Sequence, residues 1–452
     1  MKLVPAALCL NLVRLTPMVS AGPTVVPTNE GQVGDVPIVD SRIIGTRFEA
    51  LANPDDQILF GRMLQFGGAM PPSPEVQFLL DGVHTPSNPL EVDSINGTFD
   101  QIFAFTPASA RSRTAADDGD LVAFSFAVDG AEPQTMTVRI PVYDEAGNSL
   151  VDMSIEDVPN VGLIETGVAV DNQGRVTVAY VDFPAAGTPI VKAQRFDANS
   201  GMILNPAFDV TGVHGVPDIA LLDPAGNRLI VASTDLVNGH IEGNIIDFSG
   251  GTPVVLPDFQ ISTTAGIPNN LVNLASNVSS GGFTAFWENL TGVVGDPVNI
   301  RGRRFDANGN PVSGEFLVNT TTAGSQGQPQ ATTGSNGETV VAWAGDGQGA
   351  ENLDVFLQVY DAAGNPIGGE QQANSFTDNF QDRPSVRFLP TADALGQPQF
   401  LVLWRDVAQS DGSLPRGTGS SYRCFSIGAD PAPIFADGFE SGDTSSWSDS
   451  VP

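Results

Sequence analysis

The sequence predicts an all-β repeat protein, and two observations lead to that prediction. A motif made of an apolar residue, an Asp and a glycine-bearing turn recurs along the chain, most clearly at 304–311 and 359–366. Between the copies, short runs of β-forming residues alternate with Gly, Asn and Asp, which is typical of strands joined by tight turns. Because a repeated unit cannot bury its apolar face alone, we expect the units to stack and to share a core.

The hairpin motif has seven copies along the chain. Their positions are Asp81, Asp144, Asp197, Asp247, Asp306, Asp361 and, in a degenerate copy, Ser426. Successive positions lie 63, 53, 50, 59, 55 and 65 residues apart. Each unit is predicted to hold four strands, which in one copy are 217–223, 228–233, 241–248 and 252–261, and in another 329–335, 339–345, 355–361 and 366–374. Units of about 50 residues with four strands are typical of β-propeller blades.

A second marker is an aromatic residue that follows small apolar residues on the predicted second strand. It is Phe124, Tyr180, Trp287, Trp343 or Trp404 in five units, and Ser233 takes its place in another. The same placement in successive units is what packing between neighbouring units requires. We therefore predict that this column belongs to the core and is not a sugar-stacking surface.

These units predict a seven-bladed β-propeller of four-stranded antiparallel blades over residues 36–435. Closure of the ring would protect the edges of so many strands. A strand near 36–44 is expected to complete the last blade, beside a short fourth strand at 432–435. Six blades with an N-terminal cap is the alternative. A string of Ig-like sandwiches is disfavoured, because each sandwich needs about 100 residues.

The two ends of the chain are predicted to lie outside the blades. Residues 1–21 have the pattern of a secretory signal, with Lys2, an apolar stretch at 3–13, and Val19 and Ala21 before the expected cleavage point. Residues 22–35 are predicted to be a linker and residues 436–452 a tail. No later stretch approaches the roughly 20 apolar residues of a spanning helix. We expect a secreted protein, extracellular or at the cell surface, with the periplasm as the alternative and no direct membrane insertion.

The chain is strongly acidic. Twenty Lys and Arg residues stand against 52 Asp and Glu residues, which gives 20 − 52 = −32, and Lys2 and Lys192 are the two lysines. A surface of this charge repels phosphate backbones, so we predict no nucleic-acid partner. High net charge also keeps a protein soluble and opposes self-association, and we expect a monomer.

The amino-acid sequence of two units resembles a repeat found in large secreted and surface proteins of bacteria. Its pattern is Gln-Arg-Phe-Asp-Ala-x-Gly-x-Pro, then Gly-Glu-Phe-x-Val-Asn and Thr-Thr-Ala-Gly, and 303–311, 314–319 and 321–324 match it. The tail at 434–448, which contains Asp-Gly-Phe-Glu-Ser-Gly-Asp-Thr-Ser-Ser-Trp-Ser, resembles a C-terminal segment of secreted proteobacterial proteins. The hairpin is distantly similar to the Asp-box of sialidase-type propellers, although the Ser and Trp of that box are missing. The resemblance implies a secreted propeller-like module without a settled activity.

The hairpin motif is also the candidate for metal binding. Asp306, Asn308 and Asn310 place oxygens at alternate positions, as the first half of a calcium loop does. No copy adds the Gly and the bidentate Glu of such a loop, so we favour a turn in which the Asp accepts hydrogen bonds from nearby N–H groups. Calcium binding is the alternative. Zinc-ligand spacing is absent among the three histidines, His84, His214 and His240.

Catalytic motifs are not evident in the sequence. A sialidase-like enzyme would need a Tyr nucleophile with an acidic partner and an arginine cluster. The four tyrosines are Tyr143 and Tyr360 before hairpin Asp residues, Tyr180 in the aromatic column, and Tyr422 in the last unit. A Gly-x-Ser-x-Gly elbow does not occur. We therefore assign no catalytic, cofactor-binding or metal-binding residue.

The sequence favours a secreted, non-catalytic propeller whose loops bind an unknown protein or carbohydrate ligand at the bacterial cell surface. A sialidase-like glycan hydrolase and a calcium-stabilised structural or adhesion module are the alternatives. An enzyme should gather acidic residues and arginines, such as Arg303, Arg304 or Arg405, at one mouth of a central channel. A binding module need not do so.

Overall fold

The computed structural model describes residues 23–27, 31–33, 50–52, 58–64, 73–79, 90–91, 108–113, 120–129, 135–143, 149–160, 166–210, 214–263, 269–278, 280–346, 353–375, 377, 380–389, 396–407 and 418–429. The regular elements of these residues are all β-strands. In the same residues, no helix is long and apolar enough to cross a membrane. The all-β class that the sequence predicts is confirmed.

The strands of the described residues form seven antiparallel sheets that follow one another along the chain. Two N-terminal strands come first, β1 (Pro23–Pro27) and β2 (Gly31–Val33). The first sheet holds β3 (Ala50–Ala52), β4 (Ile58–Leu64), β5 (Ser73–Leu79) and β6 (Leu90–Glu91), and the second holds β7 (Ala108–Arg113), β8 (Asp120–Asp129), β9 (Thr135–Tyr143) and β10 (Ser149–Pro159). The third holds β11 (Thr166–Val170), β12 (Arg175–Asp182), β13 (Ile190–Asp197) and β14 (Ile203–Asp209).

The fourth sheet holds β15 (His214–Leu221), β16 (Arg228–Asp235), β17 (Ile241–Asp247), β18 (Val254–Val255) and β19 (Phe259–Gln260). The fifth holds β20 (Asn269–Asn277), β21 (Gly282–Val293), β22 (Asp296–Phe305) and β23 (Phe316–Leu317), and the sixth holds β24 (Gln326–Thr333), β25 (Thr339–Asp346), β26 (Leu353–Tyr360) and β27 (Pro366–Gln372). The seventh holds β28 (Phe380–Phe388), β29 (Gln399–Val407) and β30 (Thr418–Ala429), with β1 and β2 beside β30. The predicted unit of four antiparallel strands is confirmed.

The N-terminal strands correct one of the predicted boundaries. Residues 23–27 and 31–33, which the sequence analysis assigns to a linker, are strands that pair with β30. Val25 lies opposite Ile427 in this pairing and is buried. The segments at 36–44 and 432–435, which were predicted to complete the last blade, lie outside the described residues, as do the predicted leader and tail.

The first strands of successive sheets pack against one another. Contacts join β7 to β11, β11 to β15, β15 to β20, β20 to β24, and β24 to β28, and β28 also contacts β3 of the first sheet. The sheets therefore meet along their first strands, which places these strands on the inner side of the array.

A residue in the left-handed backbone region interrupts the first strand of four successive sheets. These residues are Val216 (φ 39°), Leu271 (φ 44°), Gln328 (φ 58°) and Arg383 (φ 52°). The pairing with the second strand shifts register at each of them, as in a β-bulge. The sequence placed the strand starts at Pro217 and Pro329, but β15 and β24 begin at His214 and Gln326, because the bulge lets the strand continue before each proline.

The aromatic column lies in the core, as predicted. Burial is nearly complete for Tyr180, Trp287, Trp343 and Trp404, and Ser233 is also buried, whereas the side chain of Phe124 lies outside the described residues. The indole Nε1–H of Trp287 donates to Asn269 Oδ1 (3.1 Å), and that of Trp343 donates to Gln326 Oε1 (3.1 Å). Each acceptor is the first residue of the neighbouring first strand, so the column ties the second strand to the inner strand.

Phenylalanines on the outer strands β19 and β23 connect one sheet to the next. The ring centroid of Phe259 lies 5.7 Å from that of Phe305, and the ring centroid of Phe316 lies 5.5 Å from that of Tyr360. Gly302 on β22 leaves room for Phe316, since a Cβ there would lie 2.7 Å from the ring atom Cζ. The repeated Phe of the motif is therefore a packing contact between units.

The repeated Glu of the motif also links two sheets, in the opposite direction along the chain. Glu315 Oε1 accepts a hydrogen bond from the Thr263 N–H (2.5 Å), which lies in the loop after the fourth sheet. Glu370 Oε2 accepts from the Thr320 N–H, from Thr320 Oγ1 (2.9 Å) and from the Thr321 N–H (3.3 Å), all in the loop after the fifth sheet. Glu and Thr-Thr recur in the repeat because each Glu carboxylate accepts hydrogen bonds from the Thr residues in the loop that ends the preceding unit.

Candidate functional site

The hairpin Asp residues stabilise turns. Asp306 Oδ1 accepts the N–H groups of Asn308 and Asn310 (2.8 Å each), and Oδ2 accepts Asn310 Nδ2 (2.9 Å). Gly309 has φ 78°, which Gly adopts without a steric penalty. The turn role that the sequence predicts for this motif is confirmed here.

The same turn recurs in three more sheets. Asp361 Oδ1 accepts the Asn365 N–H (2.7 Å), and its Oδ2 accepts Asn365 Nδ2 (2.9 Å). A side-chain hydrogen bond is the main cause that lowers the pKa of the Asp in all four turns. The pairs are Asp197 with Ser200, Asp247 with Ser249, Asp306 with Asn310, and Asp361 with Asn365. Asp81 and Asp144 lie outside the described residues.

Metal ligands do not gather in the described part of the chain. There, no group of three or more His, Cys, Asp and Glu side chains is placed to hold a metal ion. The His240 carbonyl oxygen accepts the Asp235 N–H (2.7 Å) in a loop turn. His84 and the side chain of His214 lie outside the described residues. Calcium binding by the hairpin turns stays a prediction.

A polar cavity lies where the first strands meet. Its volume is about 160 Å³, and its wall contains residues of β11, β15, β20, β24 and β28. The polar side chains of the wall are Asp218, Asn273, Ser276, Thr332, Thr333 and Arg387. We call it the axial cavity, because five sheets contribute their innermost strand to it.

Hydrogen bonds between the first strands surround the axial cavity. Asp218 Oδ2 accepts the Leu274 N–H (2.7 Å) and Asn273 Nδ2 (3.2 Å). Asn273 Oδ1 accepts the Ala331 N–H (2.7 Å), and its Nδ2 lies 3.4 Å from Gln330 Oε1. The fourth, fifth and sixth sheets are thus held at fixed spacing around the cavity.

A second cavity, of about 270 Å³, lies between the fifth and sixth sheets. We call it the groove. Its wall contains the aromatic residues Phe286, Phe316 and Tyr360 and the polar residues Ser280, Arg304, Asp306 and Asp361. Ala275 and Thr333 line both the groove and the axial cavity, so the two spaces are adjacent.

The groove exists because neighbouring sheets fill equivalent space differently. Between the fourth and fifth sheets, Phe259 packs under the hairpin turn, where a Cβ on Gly309 would lie 2.6 Å from its ring. Between the fifth and sixth sheets, Phe316 likewise lies beside Tyr360, but the nearest atoms to a Cβ on the equivalent glycine, Gly364, belong to the Arg304 side chain.

The arginine cluster that the enzyme alternative requires is not formed by Arg303 and Arg304, whose guanidinium groups bind backbone carbonyl oxygens of different loops. Arg304 donates to the carbonyl oxygens of Ala362 (2.7 Å) and Ala363, in the hairpin turn of the sixth sheet. Arg303 Nη1 donates to the Ile261 carbonyl oxygen (3.0 Å), and its guanidinium lies 5.4 Å from the Phe305 ring centroid. The side chain of Arg405 lies outside the described residues.

Tyr180 and Tyr360 are core residues, and Tyr422 is half-buried. Burial is the main cause that raises the pKa of Tyr180, Tyr360 and Tyr422 above the ordinary value. A tyrosine nucleophile needs the opposite, a phenol that ionises easily beside a base. The side chain of Tyr143 lies outside the described residues.

The first-strand motif around the axial cavity was missed by the sequence analysis. Its left-handed residues, Val216, Leu271, Gln328 and Arg383, are 55, 57 and 55 residues apart, and a proline follows three of them, as Pro217, Pro329 and Pro384. A polar residue stands two positions after each one, namely Asp218, Asn273, Gln330 and Ser385. The recurrence of proline before a polar residue at the unit period is a signal that could have identified this motif.

No protein-family model and no curated protein matches the chain. Among solved structures, it is similar to a protein of unknown function from Dyadobacter fermentans DSM 18053, with a TM-score of 0.47, 11% identity, and coverage of 88% of this chain and 99% of that one. It is also similar to hydrazine synthase of Kuenenia stuttgartiensis (TM-score 0.44, 11% identity, 73% and 80% coverage). A third is the alpha-L-arabinanase of Penicillium chrysogenum complexed with arabinobiose (TM-score 0.44, 13% identity, 70% and 92% coverage). At these identities and TM-scores, the likenesses assign neither a family nor a function to this chain.

Proposed function

We propose that this protein is an exported, non-catalytic, seven-bladed β-propeller that binds a carbohydrate chain or a protein segment at the bacterial cell surface. In this proposal the seven sheets are the blades and the axial cavity is part of the central channel. Two features support a closed ring. The first strands of five sheets line one cavity, and the N-terminal strands β1 and β2 add to the sheet at the other end of the chain. Pairing an N-terminal and a C-terminal part of the chain in one sheet covers the edge of β30.

The observation that carries the binding proposal is the groove beside the axial cavity. Ligand sites combine an apolar wall with a few polar groups that set orientation. The wall of the groove contains the aromatic residues Phe316 and Tyr360 together with the polar residues Ser280, Asp306 and Asp361. Sugars have apolar C–H faces and hydroxyl edges, so this combination favours carbohydrate over a protein segment.

The geometry supports binding without catalysis. Tyr180 and Tyr360 are buried and Tyr422 is half-buried, each with a raised pKa, and Arg303 and Arg304 donate to backbone carbonyl groups. A sialidase-like mechanism would need these groups accessible and close to an acidic partner. Export is supported by the leader pattern of residues 1–21 and by the resemblance of the repeats to those of secreted proteins.

The test measures binding of soluble neutral polysaccharides and of unrelated peptides to the purified full-length protein by calorimetry. Ser280→Trp is expected to abolish binding, because the large ring would fill the groove at its rim. Ser249→Trp is the matched control, since Ser249 is an exposed turn residue of the fourth sheet that does not line the groove. This variant should bind like the unmodified protein.

The outcomes separate the candidate functions. Polysaccharide binding that Ser280→Trp leaves intact would overturn the groove as the site. Release of reducing ends from the polysaccharide would establish the hydrolase instead. A rise in melting temperature with calcium, with no ligand bound, would favour the calcium-stabilised structural module. Binding of peptides alone would replace the carbohydrate with a protein segment.

A further inference from the structure

The described lining of the groove holds two carboxylates and one guanidinium, so its formal charge is −2 + 1 = −1. Asp306 and Asp361 lie on its two sides, in the hairpin turns of the fifth and sixth sheets. Arg304 is the one cationic residue of the described lining, and its guanidinium donates to the carbonyl oxygens of Ala362 and Ala363. The two carboxylates likewise accept hydrogen bonds from their own turns. Hydrogen bonds to neutral groups remove no charge, so a ligand in the groove meets a net negative charge.

We propose that the groove selects glycans without carboxylate groups and excludes uronate-bearing glycans, an inference that rests on the proposed function. An anionic sugar between Asp306 and Asp361 would be repelled from both sides. The aromatic part of the wall supplies no compensation, because rings of Phe and Tyr attract C–H groups and cations rather than anions. Uncharged and amino sugars meet no such repulsion.

The carboxylates keep their charge over the pH range in which the protein would work. Hydrogen bonds from Asn310 and Asn365 hold the pKa of Asp306 and Asp361 below the ordinary value. The net charge of −32 acts in the same direction, because it lowers the concentration of anionic chains near the whole surface. The local and global fields therefore both discriminate against uronates.

A pair of double variants tests the local part of this selection. Asp306→Asn with Asp361→Asn removes both charges from the groove, while the remaining side-chain oxygens can still accept the turn N–H groups. Asp197→Asn with Asp247→Asn is the matched control, because these residues occupy the equivalent turns of the third and fourth sheets and do not line the groove. Both variants change the net charge equally, from −32 to −32 + 2 = −30.

The measurement is the ratio of affinities for polygalacturonate and for neutral galactan, determined at low and at high salt. The unmodified protein is expected to bind galactan at least about tenfold more tightly than polygalacturonate at low salt, and less selectively at high salt. The groove variant should shift the ratio about tenfold toward polygalacturonate, whereas the control variant should leave it unchanged. Melting temperatures of both variants report whether either has lost its fold.

The outcomes separate this inference from the proposed function. Equal affinity for both polymers in the unmodified protein, or an equal shift in both variants, would overturn the selection but leave a glycan-binding groove. Failure of every neutral and amino polysaccharide tested to bind would overturn the proposed function and the selection together. Tighter binding of polygalacturonate than of galactan would overturn the selection outright.

Discussion

Arg195 and Asp171 form an ion pair in which Nη2 lies 2.5 Å from Oδ2 and both side chains are almost fully buried. The same guanidinium donates to the Gly226 carbonyl oxygen (2.8 Å) and lies 4.2 Å from the ring centroid of Phe248. One arginine of the third sheet thus holds a turn and a ring of the fourth. Burial lowers the pKa of Arg195 to about 10, which leaves it charged at neutral pH.

Replacement of this arginine should destabilise the protein strongly. Arg195→Met leaves Asp171 buried with Arg175 Nε, at 2.7 Å, as its remaining cationic partner. Breaking a buried ion pair costs about 3–5 kcal/mol of unfolding free energy. Because Arg175 still pairs with Asp171, we expect a loss of about 3 kcal/mol. Urea unfolding measures it. Arg139→Met, which breaks a partly exposed pair with Asp152, should cost about 0–1 kcal/mol, and equal losses in the two variants would contradict the prediction.

A pair of glycine substitutions separates backbone strain from crowding. Gly309 and Gly251 have φ 78° and 79°, so alanine at either position should cost about 1–2 kcal/mol of left-handed strain. A Cβ at Gly309 would also lie 2.6 Å from the Phe259 ring, whereas nothing lies within 4 Å at Gly251. Overpacking should add about 1–3 kcal/mol to Gly309→Ala alone. Equal urea midpoints for the two variants would show that Phe259 moves aside freely.

The indole of Trp343 should matter beyond its volume. Trp343→Phe removes the donor to Gln326 Oε1 and leaves a gap in the core, which together should cost about 2–4 kcal/mol. Phe380→Leu is the control, because Phe380 is 45% exposed and its replacement should change stability by less than about 0.5 kcal/mol. Thermal unfolding of both variants checks the difference. Similar melting temperatures would contradict a structural role for the indole N–H.

Acid should weaken the hairpin turns. The pKa of Asp361 is lower in the folded protein than in the unfolded chain, so its hydrogen bonds stabilise the fold above the unfolded value and are lost as the pH falls through the folded value. We expect the melting temperature to fall below about pH 4, where carboxylates protonate. Asp361→Asn should flatten this part of the profile, since the amide does not titrate. Superimposable profiles would contradict the assignment.

The N-terminal strands should be needed for stability although they lie far from β30 in sequence. Val25 is buried among residues that include Phe425 and Ile427, and Gln371 Nε2 donates to the Val25 carbonyl oxygen (3.2 Å). Deletion of residues 23–33 should lower the melting temperature by several degrees and expose the edge of β30 to self-association. A synthetic peptide of the deleted residues should restore part of the loss. Unchanged melting after the deletion would contradict the pairing.

The sequence predicted the repeat, the four strands of a unit and the burial of the aromatic column because each depends on local chemistry. The side chain of Asp306 and the left-handed backbone of Gly309 determine the hairpin turn locally. The spacing of Trp287 and Trp343 at the unit period can be read from the sequence alone. The strands β1 and β2 were assigned to a linker, because Pro23 and Pro27 bound a short segment that resembles one when its partner β30 is not known.

The groove could not be predicted in the same way. Its volume depends on which side chain lies at the hairpin glycine, and this is the Phe259 ring at Gly309 but the Arg304 side chain at Gly364. Both side chains belong to a neighbouring unit. Local patterns carry no information on such a choice between two packings.

Contacts between units run in both directions along the chain. Arg304 reaches forward to the next turn, while Glu370 reaches back to the preceding loop. Excision of one internal copy would therefore leave side chains without their partners on both flanking copies. Recombination that shortens the array should be tolerated poorly for this reason. Sequence variation among related arrays should instead accumulate as changes in loop length and composition.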